Sequence, residues 1–173
     1  MIFIVADTSA LISLSVTDIF RFTQEIEFKI AKKVYNELNL IKNYRDKDGI
    51  NASKIIRNLK DWNIEVLNIK NKQKLNELLK NPLIDEGEGE SLILALEREI
   101  DDLITDDLKS IHILNKYNQN KVYISSSVVI PALLYKSGKL SRSQARQIII
   151  QIGKYRKWNE SLFKESLELL DKE

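Results

Sequence analysis

Short apolar runs alternate along the chain with segments whose apolar residues recur at helical spacing. Residues 2–6 form a continuous apolar run, which is typical of a strand buried on both faces of a parallel sheet. The same pattern predicts strands at residues 28–31, 64–69, 103–105 and 122–124. Helical spacing predicts a helix through Leu11 and Leu14 that Asp7, Thr8 or Ser9 can cap. Further helices are predicted at residues 33–43, 51–62, 72–80, 86–100, 108–117, 128–136, 141–152 and 160–170.

This alternation of strands and helices predicts an α/β fold, in which helices cover both faces of a parallel sheet. At 173 residues the chain suits one domain, or one domain with a helical extension. We place the main domain at residues 1–135 and a C-terminal helical extension, packed on the same domain, at residues 136–173.

The composition is that of an ordinary globular protein, with 43% hydrophobic and 30% charged residues. No apolar run approaches the roughly 18 residues that a membrane-spanning helix needs, so no membrane partner is expected. The absence of cysteine excludes disulfides, thiolate metal sites and cysteine nucleophiles. Met1 leads directly into an apolar run without a basic leader, so we expect no signal peptide and a cytoplasmic location.

The net charge of +2 is small, but the charges are unevenly distributed. Residues 85–107 contain ten acids and a single base, Arg98, whereas residues 136–157 contain seven bases and no acid. Such segregation fits internal charge complementarity, and it equally fits a metal site beside a phosphate-binding face. Tyr155, Arg156, Lys157 and Trp158 combine base-stacking with phosphate-binding chemistry, so we consider Arg156 and Lys157 as RNA contacts. The same four residues could instead cover a helix seam or bind a protein.

Several acids follow the carboxyl ends of predicted strands. Helices that cross between parallel strands begin at the carboxyl edge of the sheet, where open α/β sheets bind ligands. Separate segments therefore deliver acids to one edge: Asp7, Glu37, Glu88, Glu90, Asp106 and Asp107. Each acid alone could simply cap a helix or favour a helix N-terminus.

Carboxylates that converge repel each other, and a divalent cation removes that cost. Oxygen ligands suit Mg²⁺ or Mn²⁺, which can activate water and neutralise charge during phosphodiester hydrolysis. The convergence of acids therefore indicates a metal-dependent hydrolytic site that needs neither cysteine nor histidine.

The segments that carry these acids resemble the motifs of PIN-domain nucleases, over about residues 1–134. They read VADTSALI from Val5, VYNEL from Val34, DEGEGESLILA from Asp85 and LITDD from Leu103. The third segment is most similar to a prokaryotic subgroup related to VapC-type toxins. The resemblance implies a three-layer α/β/α fold with four or five parallel strands, and cleavage of single-stranded RNA with Mg²⁺ or Mn²⁺. It also implies a homodimer, and it leaves open a cognate antitoxin protein as partner.

Transferred to this sequence, the family motifs imply four catalytic and metal-binding acids. These acids are Asp7, Glu37, Glu90 and Asp107. Glu90 stands where many members have aspartate, and Asp106 and Glu88 are additional candidate ligands. Ser9 and Thr105 would support the site by hydrogen bonding to the ligands or to a water at the metal.

Two other functions compete with the ribonuclease. A haloacid-dehalogenase-like phosphatase also carries an aspartate after its first strand, but its chemistry needs a second aspartate two residues later, where this chain has Ser9. The other alternative is a PIN-like module that binds RNA or protein without catalysis, against which the complete set of four acids argues.

Overall fold

The computed structural model describes residues 1–118 and 121–171. Its centre is a five-stranded, entirely parallel sheet in the order β3-β2-β1-β4-β5. The strands are β1 (Ile2–Ala6), β2 (Ile26–Ala31), β3 (Ile64–Leu67), β4 (Asp102–Ile104) and β5 (Tyr123–Ser125). The chain therefore builds outward from β1 on one side, and then returns to build β4 and β5 on the other.

Helices pack on both faces of this sheet and complete a three-layer α/β/α arrangement, which confirms the predicted fold class. They are α1 (Thr8–Ser15), α2 (Lys32–Ile41), α3 (Lys47–Arg57), α4 (Lys72–Leu78), α5 (Glu86–Arg98), α6 (Leu108–Tyr117), α7 (Val129–Lys136), α8 (Arg142–Tyr155) and α9 (Glu160–Glu168). Helix α5 contacts β1, β2 and β4, and helix α8 contacts α1 and α7. No helix in these two described ranges has both the length and the apolar character that crossing a bilayer requires.

The core explains why the apolar runs form the elements they do. Val5 and Ala6 in β1 and Phe28 and Ile30 in β2 are completely buried, as expected for central parallel strands. Residues 92–95 of α5 are also completely buried, so this helix is enclosed on more than one side. Full burial of one such aliphatic side chain contributes about 1.5–3 kcal/mol to the free energy of unfolding. The buried side chains of β1 and α5 together therefore hold these two elements in contact.

Predicted and observed boundaries differ most at α3. The predicted helix at residues 51–62 instead starts at Lys47, because the Asp46 carboxylate accepts a hydrogen bond from the Gly49 backbone and caps the helix there. It ends at Arg57 and is followed by turns that lead to Asn63, whose φ of 51° is in the left-handed region. A short 3₁₀ turn at Ile19–Phe22 was not predicted, since its apolar residues follow no regular period.

The strand order creates a switch point between β1 and β4. The chain leaves β1 toward β2 and leaves β4 toward β5, in opposite lateral directions. A crevice therefore opens beyond the carboxyl ends of β1 and β4. The residues immediately after the strands, Asp7 and Thr105 to Asp107, lie beside this crevice.

Candidate active site

A cavity of about 280 Å³ opens at the switch point. We call it the acid cavity, because acids from α1, α2, α3, α5 and α6 or their caps line it. These lining acids are Asp7, Glu37, Asp48, Asp85, Glu88 and Asp107. The fold thus brings together three of the four acids expected from the sequence, Asp7, Glu37 and Asp107.

Asp7 is the most deeply placed of these acids. It caps α1, and its Oδ1 accepts hydrogen bonds from the Ala10 backbone and from Ser9 Oγ, each at 2.8 Å. Burial raises the pKa of Asp7 from its ordinary value of 3.8 to about 7; hydrogen bonds oppose this rise, and repulsion from Asp106 adds to it. Asp7 therefore carries its negative charge at a considerable desolvation cost.

Ser9 joins the end of β1 to the end of β4. Its hydroxyl donates to Asp7, lies 3.3 Å from Thr105 Oγ1 and accepts a hydrogen bond of 2.8 Å from the Asp106 backbone. Thr105 Oγ1 in turn accepts from the Asp107 backbone at 3.2 Å. The two hydroxyls thereby fix the positions of Asp7 and Asp107, the acids that follow the two strands.

Glu37 reaches the cavity from the second turn of α2. Its Oε2 accepts a hydrogen bond of 2.5 Å from Thr8 Oγ1. A side chain at Gly87 would exclude this arrangement, since a Cβ there would lie 2.7 Å from Glu37 Oε1. Burial raises the pKa of Glu37, and repulsion from Asp85 and Glu86 adds to the rise.

The two glutamates of the third motif point to different places. Glu88 lines the acid cavity, accepts a hydrogen bond of 3.1 Å from the Asp85 backbone and accepts another from the Ser110 hydroxyl. Glu90 is buried between helices, where it accepts from the Lys33 backbone at 3.0 Å and pairs with Lys72 Nζ at 2.9 Å. Among the described residues, Glu88 and not Glu90 belongs to the cavity lining.

The pKa of Glu88 supports this distinction. Burial raises it above the ordinary value, and the nearby charges of Asp85 and Asp107 raise it further. The negative charges of Asp85 and Asp107 therefore repel a negative charge on Glu88, whereas Glu90 forms an ion pair with Lys72. In sequence the two residues are separated by a single glycine, so only the side-chain packing distinguishes them.

Asp106 and Asp107 are separated in the same way. Asp106 turns inward, where its carboxylate accepts from the Ser127 backbone at 2.8 Å and from the Ser127 hydroxyl at 2.7 Å, with Arg156 Nε at 3.8 Å. Asp107 caps α6 by accepting from the Lys109 backbone at 3.0 Å, and it lines the acid cavity. Asp106 therefore stabilises the turn that presents Asp107.

Arg156 is bound to the protein at the margin of the cavity. Its Nε donates to Ser13 Oγ at 2.6 Å, and its terminal nitrogen donates to the Ser9 carbonyl. Lys157 is exposed and adopts a φ of 54°. The basic segment predicted from the sequence thus packs its arginine against α1 and extends its lysine into solvent.

Three features of the site were not predicted from the sequence: the close approach of Gly87 to Glu37, and the presence of Asp48 and Asp85 in the lining. Gly87 lies in the third motif, DEGEGESLILA, where a glycine at the start of a helix already indicates a close contact. Asp48 lies in the first turn of α3, before the predicted start of that helix at residue 51, so no sequence pattern connects it to the site.

The donor chemistry of the cavity fits a hard divalent cation, because the lining offers carboxylate and hydroxyl oxygens. Burial raises the pKa values of Asp7, Glu37 and Glu88, and neighbouring carboxylates add to the rise, so a cation would stabilise the charged forms of these acids. Within residues 1–118 and 121–171, no three acidic or histidine side chains are close enough as they stand to form a metal cluster. The fit is therefore one of chemistry and placement.

An α/β/α sandwich with acids gathered beyond the carboxyl ends of a parallel sheet defines the class of this protein. A family model described as PIN domain, DUF3368, matches residues 3–170. The chain therefore belongs to the PIN-domain family, whose members are typically nucleases. The match includes α7, α8 and most of the chain beyond residue 134, where the motif resemblance ended. Searches among curated proteins and among solved structures gave no match.

Proposed function

We propose that this protein is a metal-dependent endoribonuclease that hydrolyses phosphodiester bonds in single-stranded RNA. The observation that carries this proposal is that four separate segments place Asp7, Glu37, Glu88 and Asp107 around one cavity at the switch point. Membership of the PIN-domain family supports nuclease chemistry over other hydrolytic activities.

We assign Mg²⁺ or Mn²⁺ to the acid cavity, held by Asp7, Glu37, Glu88 and Asp107. A bound divalent cation supplies a Lewis-acidic centre that activates water and neutralises charge on the phosphodiester. We assign Glu90, the residue expected from the family motif, a positioning role instead, since its carboxylate joins the start of α2 to Lys72 of α4.

The surrounding residues position these acids. Ser9 donates to both oxygens of Asp7, at 2.8 and 3.0 Å, and thereby orients the carboxylate. Thr8 does the same for Glu37. Asp106 binds Ser127 and lies near Arg156, so it holds the β4–α6 turn in place without entering the cavity. These contacts preorganise the site before substrate arrives.

Incubation with single-stranded RNA tests the proposal. We expect cleavage with Mg²⁺ or Mn²⁺, none with EDTA, and a loss of about three orders of magnitude in Asp7→Asn. Asp101→Asn is the matched control, because Asp101 is an exposed acid outside the cavity, and its activity should equal that of the wild type.

Three outcomes would contradict the proposal. Cleavage that survives EDTA and Asp7→Asn would exclude the metal mechanism. Binding of RNA without cleavage of any RNA tested would favour a non-catalytic PIN-like module. Release of phosphate from small phosphomonoesters would favour the phosphatase.

On the resemblance to VapC-type toxins we also propose that the nuclease is the toxin of a toxin–antitoxin pair, works in the cytoplasm and forms a homodimer. In this proposal residues 1–135 form the nuclease domain and residues 136–173 an extension packed on it. Expression of wild type and Asp7→Asn in growing cells tests the toxin role, with growth arrest expected only from the wild type. Light scattering of the purified protein tests the dimer.

A further inference from the structure

A second cavity, of about 460 Å³, opens beside the acid cavity. We call it the Trp158 cavity. Ser9, Asp107 and Arg156 line both cavities, so the two are adjacent parts of one depression. Lys109 and Trp158 line only the second. Its volume lies within the roughly 300–1,000 Å³ that is usual for small-ligand sites.

Trp158 is held in place by the end of α8. Its backbone N–H donates a hydrogen bond of 3.0 Å to the Gly153 carbonyl, and the Lys157 backbone N–H donates one of 3.2 Å to the Lys154 carbonyl. These two bonds form a Schellman motif. Lys157 occupies the left-handed position of this motif, with a φ of 54°, where glycine is usual. The backbone turn therefore determines where the indole side chain emerges.

The α8–α9 contact fixes the indole ring itself. Its centroid lies 6.3 Å from that of Phe163, with the rings at 75°. Phe163 can pack so closely because α8 has Gly153 there, where a Cβ would lie 2.5 Å from the ring. Trp158 is half-buried, and the residue both contacts Phe163 of α9 and lines the cavity.

Two bases, Lys109 and Arg156, line the cavity together with the aromatic ring and two acids, Asp106 and Asp107. Lys109 is an exposed residue in the first turn of α6, next to Asp107. Arg156 lines both the Trp158 cavity and the acid cavity, and it is held by hydrogen bonds to Ser13 and Ser9. An aromatic platform with a lysine beside it is the combination that binds unpaired nucleotides, because bases stack on the ring and phosphates contact the cation.

We propose that the Trp158 cavity is a nucleotide subsite. It stacks the base of the nucleotide that flanks the scissile phosphate, and Lys109 contacts the adjoining phosphate. This inference rests on the proposed ribonuclease function and adds a cause for single-strand selectivity. Only an unpaired base can leave its neighbours and stack on a side chain, so duplex RNA would not occupy the subsite.

The test follows the fluorescence of Trp158. The chain has two tryptophans, and the other, Trp62, is partly buried and stacks on the buried Phe20, with ring centroids 4.1 Å apart. Trp62→Phe in an Asp7→Asn background leaves Trp158 as the sole tryptophan of a protein that does not cleave. Titration with oligoadenylate in Mg²⁺ should quench its emission. An abasic oligomer of equal length, which has phosphates but no bases, should not.

Affinity provides the second measurement. Trp158→Ala should weaken binding of labelled oligoadenylate by about 5- to 100-fold in anisotropy, while Trp158→Phe should retain most of the affinity. Phe also keeps an aromatic contact with Phe163, so it controls for misfolding. Tyr123→Ala is the matched control, because Tyr123 is an exposed aromatic residue on β5, outside both cavities, and its removal should change nothing.

The outcomes separate the two proposals. If Trp158→Ala binds oligoadenylate as tightly as its parent, or if the abasic oligomer quenches equally, the subsite is excluded while the ribonuclease proposal stands. If the wild-type protein neither binds nor cleaves any RNA, the ribonuclease proposal fails and the subsite fails with it.

Discussion

At the scale of single residues, the site is decided by where neighbouring acids point. Glu88 and Glu90 both begin α5, and both are buried. Glu90 pairs with Lys72 and accepts a hydrogen bond from the Lys33 backbone, whereas burial raises the pKa of Glu88 and the charges of Asp85 and Asp107 raise it further. Because Glu90 already has a cationic partner and Glu88 lies among other acids, a cation stabilises the charged form of Glu88 more than that of Glu90.

This difference predicts opposite effects of the same substitution. Glu88→Gln should lower metal-dependent RNA cleavage by about a hundredfold or more, because it removes a proposed ligand. Glu90→Gln should retain cleavage within about tenfold and instead lower the free energy of unfolding, because a neutral amide oxygen accepts weaker hydrogen bonds than the buried carboxylate does from Lys33 and Lys72. Initial cleavage rates and urea unfolding of the two variants measure both quantities. Loss of cleavage in Glu90→Gln at unchanged stability would restore Glu90 as the third ligand.

Asp7 makes stability depend on pH when no divalent cation is present. Its pKa is about 7 in the folded protein and 3.8 ordinarily, so between these values the folded state binds more protons than the unfolded chain. Stability should therefore fall as pH rises through this window. Asp7→Asn removes that loss, and its gain in unfolding free energy over the wild type should grow from about pH 4 to pH 8, to on the order of a few kcal/mol.

Urea unfolding in EDTA at several pH values measures this difference. The raised pKa values of Glu37 and Glu88 add their own pH dependence, but it is common to both proteins and largely cancels. Asp101→Asn serves as control for a general effect of removing one negative charge. A gain that is equally large at pH 4 and pH 8 would mean that Asp7 is not destabilised by burial.

At the scale of elements, prediction succeeded where local pattern and tertiary environment agree. The bounds of β1 and α6 matched the prediction, since a continuous apolar run and a capped amphipathic stretch define them. The start of α3 depends on the Asp46 cap instead, and its end on the turns that follow Arg57, neither of which produces a hydrophobic period. The five parallel strands followed from alternation with helices, while their lateral order required the structure.

The first turn of α5 offers a direct test of how closely the layers meet. A Cβ at Gly87 would lie 2.7 Å from Glu37 Oε1, whereas a Cβ at Gly89 would lie 2.9 Å from a methyl of Leu75. Gly87→Ala should therefore displace Glu37 and lower cleavage by roughly tenfold or more, with stability unchanged or raised because alanine favours helix.

Gly89→Ala provides the matched comparison. It crowds an apolar contact instead of a carboxylate, so it should cost about 1–3 kcal/mol of stability from overpacking and leave cleavage of the folded protein nearly unchanged. In cleavage assays and thermal unfolding, we expect Gly87→Ala to lose activity but keep its stability, and Gly89→Ala to lose stability but keep its activity. Equal effects of both substitutions on cleavage would contradict the assignment of Gly87 to the site.

At the scale of the whole molecule, topology accounts for the part of the site that could be predicted. Parallel strands end at one edge, so Asp7, Glu37 and Asp107 could be assigned to one place from their positions after strands. The side-chain directions of Glu90 and Asp106 could not, because contacts with Lys72 and Ser127, distant in sequence, determine them. Sequence order locates an acid near the edge, and packing decides whether it faces the cavity.

The same topology predicts how cations affect global stability. Only the folded chain assembles acids from separate segments, so Mn²⁺ should bind the native state and raise the melting temperature. At a concentration a hundred times its dissociation constant, the gain is about 2.7 kcal/mol, or roughly 5–10 °C for a domain of this size. Thermal unfolding with Mn²⁺ and with EDTA measures this gain.

Asp7→Asn should lose most of the shift in melting temperature, and Asp101→Asn should keep it. An equal shift in Asp7→Asn would place the cation outside the acid cavity, and no shift in the wild type would remove the metal from the proposed function.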